Sequence, residues 1–166
     1  MLAVIIGFVI VALDQAAKLA IRHNLCLGES YPVIDGYFNL NYLRNTGAVW
    51  GIFQSQNEWL IILSLLVLVL IVVFYRWLVD QRGVHRLAMG LMIGGIVGNL
   101  IDRIKLGWVT DFLDLHWHAV HWPSFNIADS AICVGVIIYL VSSFWRTPPI
   151  SGAHEETRQE HATPSP

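Results

Sequence analysis

Long apolar runs separated by short polar segments are the main pattern along the chain. Four of these runs approach the roughly 20 residues that a helix needs to cross a bilayer. They cover about 1–22, 58–77, 86–104 and 125–145. The pattern therefore predicts an all-α membrane protein with four transmembrane helices, built as a single domain over residues 1–146.

The segment between the first two runs has a different pattern. Apolar and polar residues alternate over residues 38–42, as they do in a half-buried strand. Asp35-Gly36, just before them, is typical of a turn. We expect a small β-element over about 29–56 at the membrane surface, between helices 1 and 2, with Trp50 and Phe53 as interfacial anchors.

The ends of the chain differ in character. Residues 147–166 are rich in Pro, Ser, Thr, Glu and His, which predicts a disordered tail. The first run lacks a basic n-region and a small-residue cleavage site. It is therefore expected to be a retained helix and not a cleaved signal peptide.

Composition agrees with membrane residence. The 166-residue chain is 55% hydrophobic and 13% charged, with a mean hydropathy of +0.58, whereas soluble domains carry about 25% charged residues. This excludes an ordinary soluble globule and a disordered chain. The formal charge of −2 indicates no nucleic-acid partner, and two cysteines make neither a disulfide framework nor a Cys-rich zinc site.

Charge does not decide the orientation of the helices. With four spans, both termini and the loop between helices 2 and 3 share one side of the membrane, and each side then carries five Lys or Arg residues. Lys18 and Arg103 have acidic neighbours in Asp14 and Asp102. Discounting these two cations favours cytoplasmic termini.

Several polar and ionisable residues occur at membrane depth, where each costs about 2.5–3.5 kcal/mol on insertion scales. Asp14 and Lys18 are spaced as an i,i+4 pair. Asn99, Asp102 and Arg103 share one face of the third helix. We interpret both groups as structural polar clusters. Glycines at 90, 94 and 98, on the same helix, predict a close packing seam.

Asp111 and Asp129 have no basic residue within one helical turn. They flank the loop between helices 3 and 4, so they lie at similar depth. If the two carboxyl groups converge, they cannot both ionise comfortably, and a shared proton would equip them to activate water. The alternative is that Asp111 caps a turn and that Asp129 caps the fourth helix.

Other chemistries have weaker signals. His116, His118 and His121 have a spacing that could hold a metal, but they alternate with Trp117 and Trp122, as in a loop at the lipid headgroups. Ser130 lacks the surroundings of a serine nucleophile. A small transporter or channel whose buried acids relay protons is the alternative from another class.

Five ordered motifs extend over about 130 residues of the chain. They are Leu13-Asp14-Gln15-Ala16-Ala17-Lys18, Arg44-Asn45-Thr46-Gly47-Ala48, Gly98-Asn99-Leu100-Ile101-Asp102-Arg103, Val109-Thr110-Asp111-Phe112 and Phe125-Asn126-Ile127-Ala128-Asp129-Ser130-Ala131. In this order and spacing they resemble the motifs of bacterial lipoprotein signal peptidase (signal peptidase II), a family of four-span membrane aspartic proteases. Ala17 and Val49 depart from residues that are common in the family, and both look like packing changes.

The resemblance implies a function and a site. Asp111 and Asp129 would be the catalytic dyad, and seven other residues would bind substrate or brace the site: Asn45, Asn99, Asp102, Arg103, Asn126, Asp14 and Lys18. The substrate would be a diacylglyceryl-modified prolipoprotein, cleaved just before the lipidated cysteine by an activated water. Neither a cofactor nor a metal is expected. The protein is expected to be a monomer, with membrane lipids as its partners besides the substrate.

The resemblance also implies a location. The protein would lie in the bacterial cytoplasmic (inner) membrane with both termini in the cytoplasm. The active site and the β-element would then face the extracytoplasmic side.

Overall fold

The computed structural model describes residues 1–47, 54–79 and 83–144. Its elements in chain order are α1 (Leu2–Asn24), β1 (Ser30–Ile34), β2 (Phe38–Asn45), α2 (Asn57–Leu78), α3 (Gly83–Leu106), β3 (Val109–Trp117), β4 (Val120–His121) and α4 (Ile127–Phe144). The four helices lie over the four predicted spans, and each is long and apolar enough to cross a membrane. The predicted tail and the residues Trp50 and Phe53 lie outside the described residues.

The predicted glycine seam is confirmed in α3, which packs closely against α1 and α4. A Cβ atom on Gly94 would lie 2.8 Å from the carbonyl oxygen of Gly7 in α1. A Cβ atom on Gly95 would overlap the carbonyl oxygen of Ala128 in α4. Only residues without a side chain permit these backbone approaches, so the glycines set how closely the three helices approach.

The strands form one antiparallel sheet in the order β1-β2-β3-β4. Strand β2 pairs with β3, with Leu43 opposite Asp111 and Asn45 opposite Val109. The sheet therefore joins the segment after α1 to the segment after α3. The predicted β-element was incomplete, because it contained β1 and β2 but not β3 and β4.

A small hydrophobic cluster attaches the sheet to the helices. Ile21 of α1, Tyr42 of β2 and Phe112 of β3 are buried against one another. Ile127, the first residue of α4, packs against them. This cluster places β3 beside the end of α1 and the start of α4.

The interpretation of the histidine segment as a loop was wrong. His116 lies in β3 and His121 in β4, where the two residues are paired across the strands and their rings stack with centroids 4.6 Å apart. Only the short turn that includes His118 connects the strands. Cross-strand pairing at this distance accommodates both rings on one face of the sheet.

Candidate active site

Asp111 is the third residue of β3 and is almost completely buried. Its carboxylate accepts a hydrogen bond from Nδ2 of Asn45 at 2.8 Å and another from Nδ2 of Asn126 at 2.7 Å. Asn45 reaches it from the neighbouring strand β2, because Leu43 is the cross-strand partner of Asp111. The predicted alternative, in which Asp111 merely caps a turn, does not describe these contacts.

Asp129 is the third residue of α4 and forms a reciprocal cap with Asn126, which precedes the helix. The backbone N–H of Asp129 donates to Oδ1 of Asn126 at 2.9 Å. The backbone N–H of Asn126 donates to Oδ2 of Asp129 at 3.2 Å. This is the geometry of a capping box with Asp in the place of Glu, and it fixes the carboxylate at the helix N-terminus. The predicted capping role of Asp129 is thus present.

Asn126 connects the two carboxyl groups. Its side-chain N–H group donates to Asp111, while its side-chain oxygen and its backbone N–H bind Asp129. Asn126 is fully buried. Rotation of its side-chain amide would break the contact with Asp111 and the contact with the backbone of Asp129 together. Asp111 and Asp129 are therefore brought to opposite sides of one residue.

The electrostatic environment favours protonation of Asp111. Burial is the largest cause, and the neighbouring negative charge of Asp129 adds to it. The hydrogen bonds from Asn45 and Asn126 and the charge of Lys18 oppose the effect. Together they raise the pKa of Asp111 to about 7, which means that this carboxyl group holds a proton about half of the time near neutral pH.

A buried lysine supports the other carboxyl group. Nζ of Lys18 is 2.9 Å from Asp14 and 3.4 Å from Asp102, and it donates to Oδ1 of Asn99 at 2.9 Å. This orients the amide of Asn99, whose Nδ2 donates to Asp129 at 2.7 Å. The predicted pair of Asp14 and Lys18 is confirmed. Lys18 also contacts Asn99, which in turn contacts Asp129.

Asp14 and Asp102 each anchor a neighbouring backbone. Asp14 accepts from the N–H of Ala128 in the first turn of α4 at 2.9 Å, which satisfies one of the free donors of that helix end. Asp102 accepts from the N–H of Thr110, next to Asp111, at 3.0 Å. Both acids thus fix the backbone beside one of the two central carboxyl groups.

Arg103 supports the site through Gly47, in the segment that follows β2. Its Nη2 donates to the carbonyl oxygen of Gly47 at 2.8 Å, and the N–H of Gly47 donates to Oδ1 of Asn45 at 2.9 Å. The amide of Asn45 is thereby turned so that its Nδ2 faces Asp111. All nine predicted site residues belong to one network, which Arg103 joins through Gly47.

Further residues of this network, among them Gln15, Arg22 and Thr110, were not predicted as site residues by the sequence reasoning. Gln15 donates to Asp102 and to the carbonyl oxygen of Gly98. Arg22 donates to the hydroxyl of Thr110 at 2.9 Å, and Thr110 is fully buried. Gln15 carried a signal, because it is a polar side chain inside an apolar run; Arg22 and Thr110 carried none that spacing could show.

The histidine segment has its own contacts. Nδ1 of His121 is 2.8 Å from Oδ1 of Asp114, and Asn39 donates to the other oxygen of Asp114 at 2.9 Å. Nδ1 of His116 lies 3.0 Å from the carbonyl oxygen of His118. Among residues 1–47, 54–79 and 83–144, no group of three His, Cys, Asp or Glu residues is arranged to hold a metal.

Comparison with known proteins adds to this geometry. The family model for signal peptidase (SPase) II matches residues 6–145. The chain belongs to the signal peptidase II family. This makes it a protease of the aspartic type and a multi-pass membrane protein.

Individual relatives agree with this family assignment. The chain is 45% identical over 142 residues to a lipoprotein signal peptidase of Geobacter sulfurreducens, covering 84% of this chain and 88% of the relative. It is 43% identical over 137 residues to one of Bacillus pumilus, covering 82% and 88%. A solved bacterial membrane enzyme determined by the in meso method at 2.3 Å matches with a TM-score of 0.78 and 31% identity, covering 86% of this chain and 87% of that one.

Proposed function

We propose that this protein removes the signal peptide from diacylglyceryl-modified prolipoproteins by cleaving just before the lipidated cysteine. Its relatives are lipoprotein signal peptidases. Asp111 and Asp129 are the proposed catalytic residues, and the proposed nucleophile is a water molecule between them.

One observation carries this assignment. Two buried or partly buried carboxyl groups from different elements, β3 and α4, both accept hydrogen bonds from Asn126. Asp111 accepts from its side-chain amide and Asp129 from its backbone N–H. Burial and the charge of Asp129 raise the pKa of Asp111 to about 7, so a proton is available to the pair near neutral pH. One proton shared by two carboxyl groups supplies both a general base and a general acid, as aspartic proteases require.

The reaction follows from that single proton. The ionised carboxylate takes a proton from water as the water oxygen attacks the scissile carbonyl carbon. The protonated carboxyl group donates to the carbonyl oxygen, which gives a neutral tetrahedral intermediate. Collapse of this intermediate breaks the C–N bond as the second carboxylate takes a proton from one hydroxyl group and the C=O bond re-forms. The proton held by the first carboxyl group goes to the leaving amine, so the pair again holds one proton. Because the groups titrate as a coupled pair, the proton belongs to the pair.

The two support chains hold the carboxyl groups in place during these steps. Asn99, oriented by Lys18, holds Asp129. Asn45, oriented by Gly47, holds Asp111. Preorganised hydrogen bonds in a site with little water need no rearrangement as charge moves. We assign Asn45, Asn99 and Lys18 as positioning residues.

The proposed setting is the bacterial cytoplasmic membrane, with the site near the extracytoplasmic face and the enzyme acting as a monomer. The site lies where α1 and α3 end and α4 begins, which supports a position near one surface of the membrane. The acyl chains of the substrate can then remain in lipid while the scissile bond reaches the carboxyl groups.

The test is cleavage of a purified diacylglyceryl-modified precursor. We expect Asp111→Asn and Asp129→Asn each to abolish cleavage, since either change removes a group that the proton transfers require. Asp114→Asn is the matched control, because Asp114 is a buried acid of the same strand whose partners are Asn39 and His121. It should retain activity.

The outcomes separate the alternatives. Cleavage that persists in EDTA and is lost in both dyad variants supports the proposal. Robust cleavage by either variant would overturn it. A reaction that EDTA abolishes would move the chemistry to His116, His118 and His121.

A further inference from the structure

A cleft of about 610 Å³ opens between α1, α2 and α3, on the side of the membrane where α1 begins and α2 ends. Its volume is in the range of roughly 300–1,000 Å³ that is usual for ligand sites. Its walls are apolar except at one end, where Arg76 and Tyr75 line it. Val11 is the cleft residue of α1 that is nearest to the candidate active site, three residues before Asp14, or about 5 Å along the helix.

The cleft exists because α2 is loosely attached to the bundle. Only Leu60 and Ile71 of α2 are buried, and within the described residues α2 packs against α3 and makes no close backbone contact with α1. Ala3, Gly7 and Gly94 deepen the gap, because they place little or no side chain in it. The space is thus part of the fold and does not result from one side-chain rotamer.

The depth of the cleft corresponds to one leaflet. Its α1 wall runs from Ala3 to Val11, which is about 12 Å at 1.5 Å per residue. One leaflet of the hydrocarbon core is about 15 Å thick. Arg76 lies two residues before the end of α2, at the level where lipid headgroups begin. The cleft is therefore charged at the headgroup level and apolar below it.

Arg76 is available for an external anion. It is exposed, and no Asp or Glu of residues 1–47, 54–79 and 83–144 forms an ion pair with it. A guanidinium group binds a phosphate with two parallel hydrogen bonds. The cation and the apolar channel below it match the two parts of a phospholipid.

We propose that this cleft binds one anionic phospholipid, with an acyl chain between α1 and α2 and the phosphate against Arg76. A signal-peptide helix is a poorer occupant, because it would extend through both leaflets and would bring its basic n-region towards Arg76. The bound lipid would fill the gap beside α2 and would stabilise its position. This proposal does not depend on the proposed function, since binding is measured without the reaction.

The test uses the full-length protein in detergent, with palmitoyl-oleoyl phosphatidylglycerol as the probe. Retained lipid is counted by native mass spectrometry, and the melting temperature is followed as lipid is added. Phosphatidylcholine with the same chains is the control lipid. We expect one phosphatidylglycerol to be retained and to raise the melting temperature, and phosphatidylcholine to do so several-fold less.

Two variants probe the two ends of the cleft. Arg76→Gln removes the cation and is expected to weaken retention about fivefold. Lys105→Gln, at the opposite end of the bundle, is its control. Val72→Trp fills the apolar channel, and Val73→Trp is its control, since Val73 is equally exposed to lipid but does not line the cleft.

Loss of retention in both Arg76→Gln and Val72→Trp, with both controls close to wild type, supports the proposal. Unchanged retention in Val72→Trp would overturn it, because the lipid would then be held only by surface charge. Equal losses in variants and controls would also overturn it. A melting curve of each variant without lipid shows that the protein is folded.

Discussion

At the scale of single residues, Asn126 determines how the two carboxyl groups act together. It binds both groups, it caps α4, and its backbone carbonyl accepts from the N–H of Ser130. An amide is suited to this position because it can donate to one acid while it accepts from the backbone beside the other. A carboxylate at this position could not donate, and it would add a further negative charge to the site.

The hydrogen bond from Asn45 lowers the pKa of Asp111 against the larger effect of burial. Asn45→Ala is therefore expected to raise that pKa. A hydrogen bond to a charged group is worth about 1.5–3 kcal/mol, so the shift should be about one pH unit or more. We expect the alkaline limb of the pH profile of kcat/KM, near pH 7 in the wild type, to move upwards.

Rates of precursor cleavage across the pH range measure this shift. Asn39→Ala is the control, because Asn39 makes the same kind of amide contact to Asp114 instead of Asp111. A lower rate with an unmoved alkaline limb would contradict the role given to Asn45, since a purely structural defect changes the height of the profile and not its position.

The raised pKa of Asp111 also makes a prediction about stability. In the unfolded chain this group ionises near its ordinary value of 3.8, and in the folded protein near 7. Between these values the folded state holds more protons, so the free energy of unfolding decreases as the pH rises towards 7. Asp111→Asn cannot ionise, and its stability relative to wild type should increase over that interval.

Melting temperatures of wild type and Asp111→Asn at several pH values test this expectation. The difference between the two proteins, and not either value alone, is the relevant quantity, because groups that are not coupled to Asp111 titrate equally in both. Asp35→Asn, in the exposed turn between β1 and β2, is the control. A difference that stays constant from pH 4 to pH 8 would contradict the raised pKa.

At the scale of elements, the contact between α3 and α4 positions Asp129. Gly95 lies against the carbonyl oxygen of Ala128 and the side chain of Ile132, and Ala128 directly precedes Asp129. Gly95→Ala is expected to cost about 1–3 kcal/mol, as overpacking does. It should also lower the cleavage rate by about tenfold or more, because it moves the first turn of α4.

Gly83→Ala is the matched substitution at the start of the same helix, where an added Cβ meets nothing within 4 Å. Unfolding and cleavage measurements on the two variants isolate the helix contact from the general effect of replacing glycine. Wild-type stability and activity in Gly95→Ala would show that the contact does not position Asp129.

The helices were predictable and the sheet was only partly so, for a physical reason. A membrane span needs a long apolar run, and such a run is visible locally. Strand β2 was also visible because it alternates. The first four residues of β3 are all buried, so they show no alternation, and their pairing with β2 joins residues more than 60 positions apart.

In the candidate site, too, features within one segment were predictable from the sequence and contacts between distant segments were not. Asp111 and Asp129 were conspicuous because an acid at membrane depth has few ordinary explanations. The contact of Asn45 with Asp111 depends on the register between β2 and β3, and that of Lys18 with Asn99 on the packing of α1 against α3. Neither contact can be obtained from spacing within one segment; only the resemblance to a family assigned these residues to the site.

At the scale of the whole molecule, the site network joins α1, α3 and α4 to the sheet at one end of the helix bundle. Lys18 in α1, Asn99 in α3, Asp111 in β3 and Asp129 in α4 take part in it. Charged groups are thereby concentrated at one end of the helix bundle, which the proposed lipidated substrate would have to reach with its scissile bond. The opposite half of the bundle carries the apolar cleft.

The orientation of this asymmetric molecule can be tested with its own cysteines. Cys26 is exposed and lies two residues past the end of α1, on the same side as the site. Cys133 is exposed but lies six residues into α4, within the bilayer. A membrane-impermeant maleimide added to intact spheroplasts should label Cys26 and leave Cys133 unmodified, because only Cys26 reaches water outside the cell.

Two variants serve as controls for this labelling. Cys26→Ser should abolish it. Val79→Cys, added to the Cys26→Ser variant, places a thiol at the other end of the bundle just past α2, and this thiol should be labelled only after the membrane is permeabilised. The reverse result, with residue 79 labelled first and Cys26 protected, would place the site on the cytoplasmic face and would contradict cleavage of exported prolipoproteins at Asp111 and Asp129.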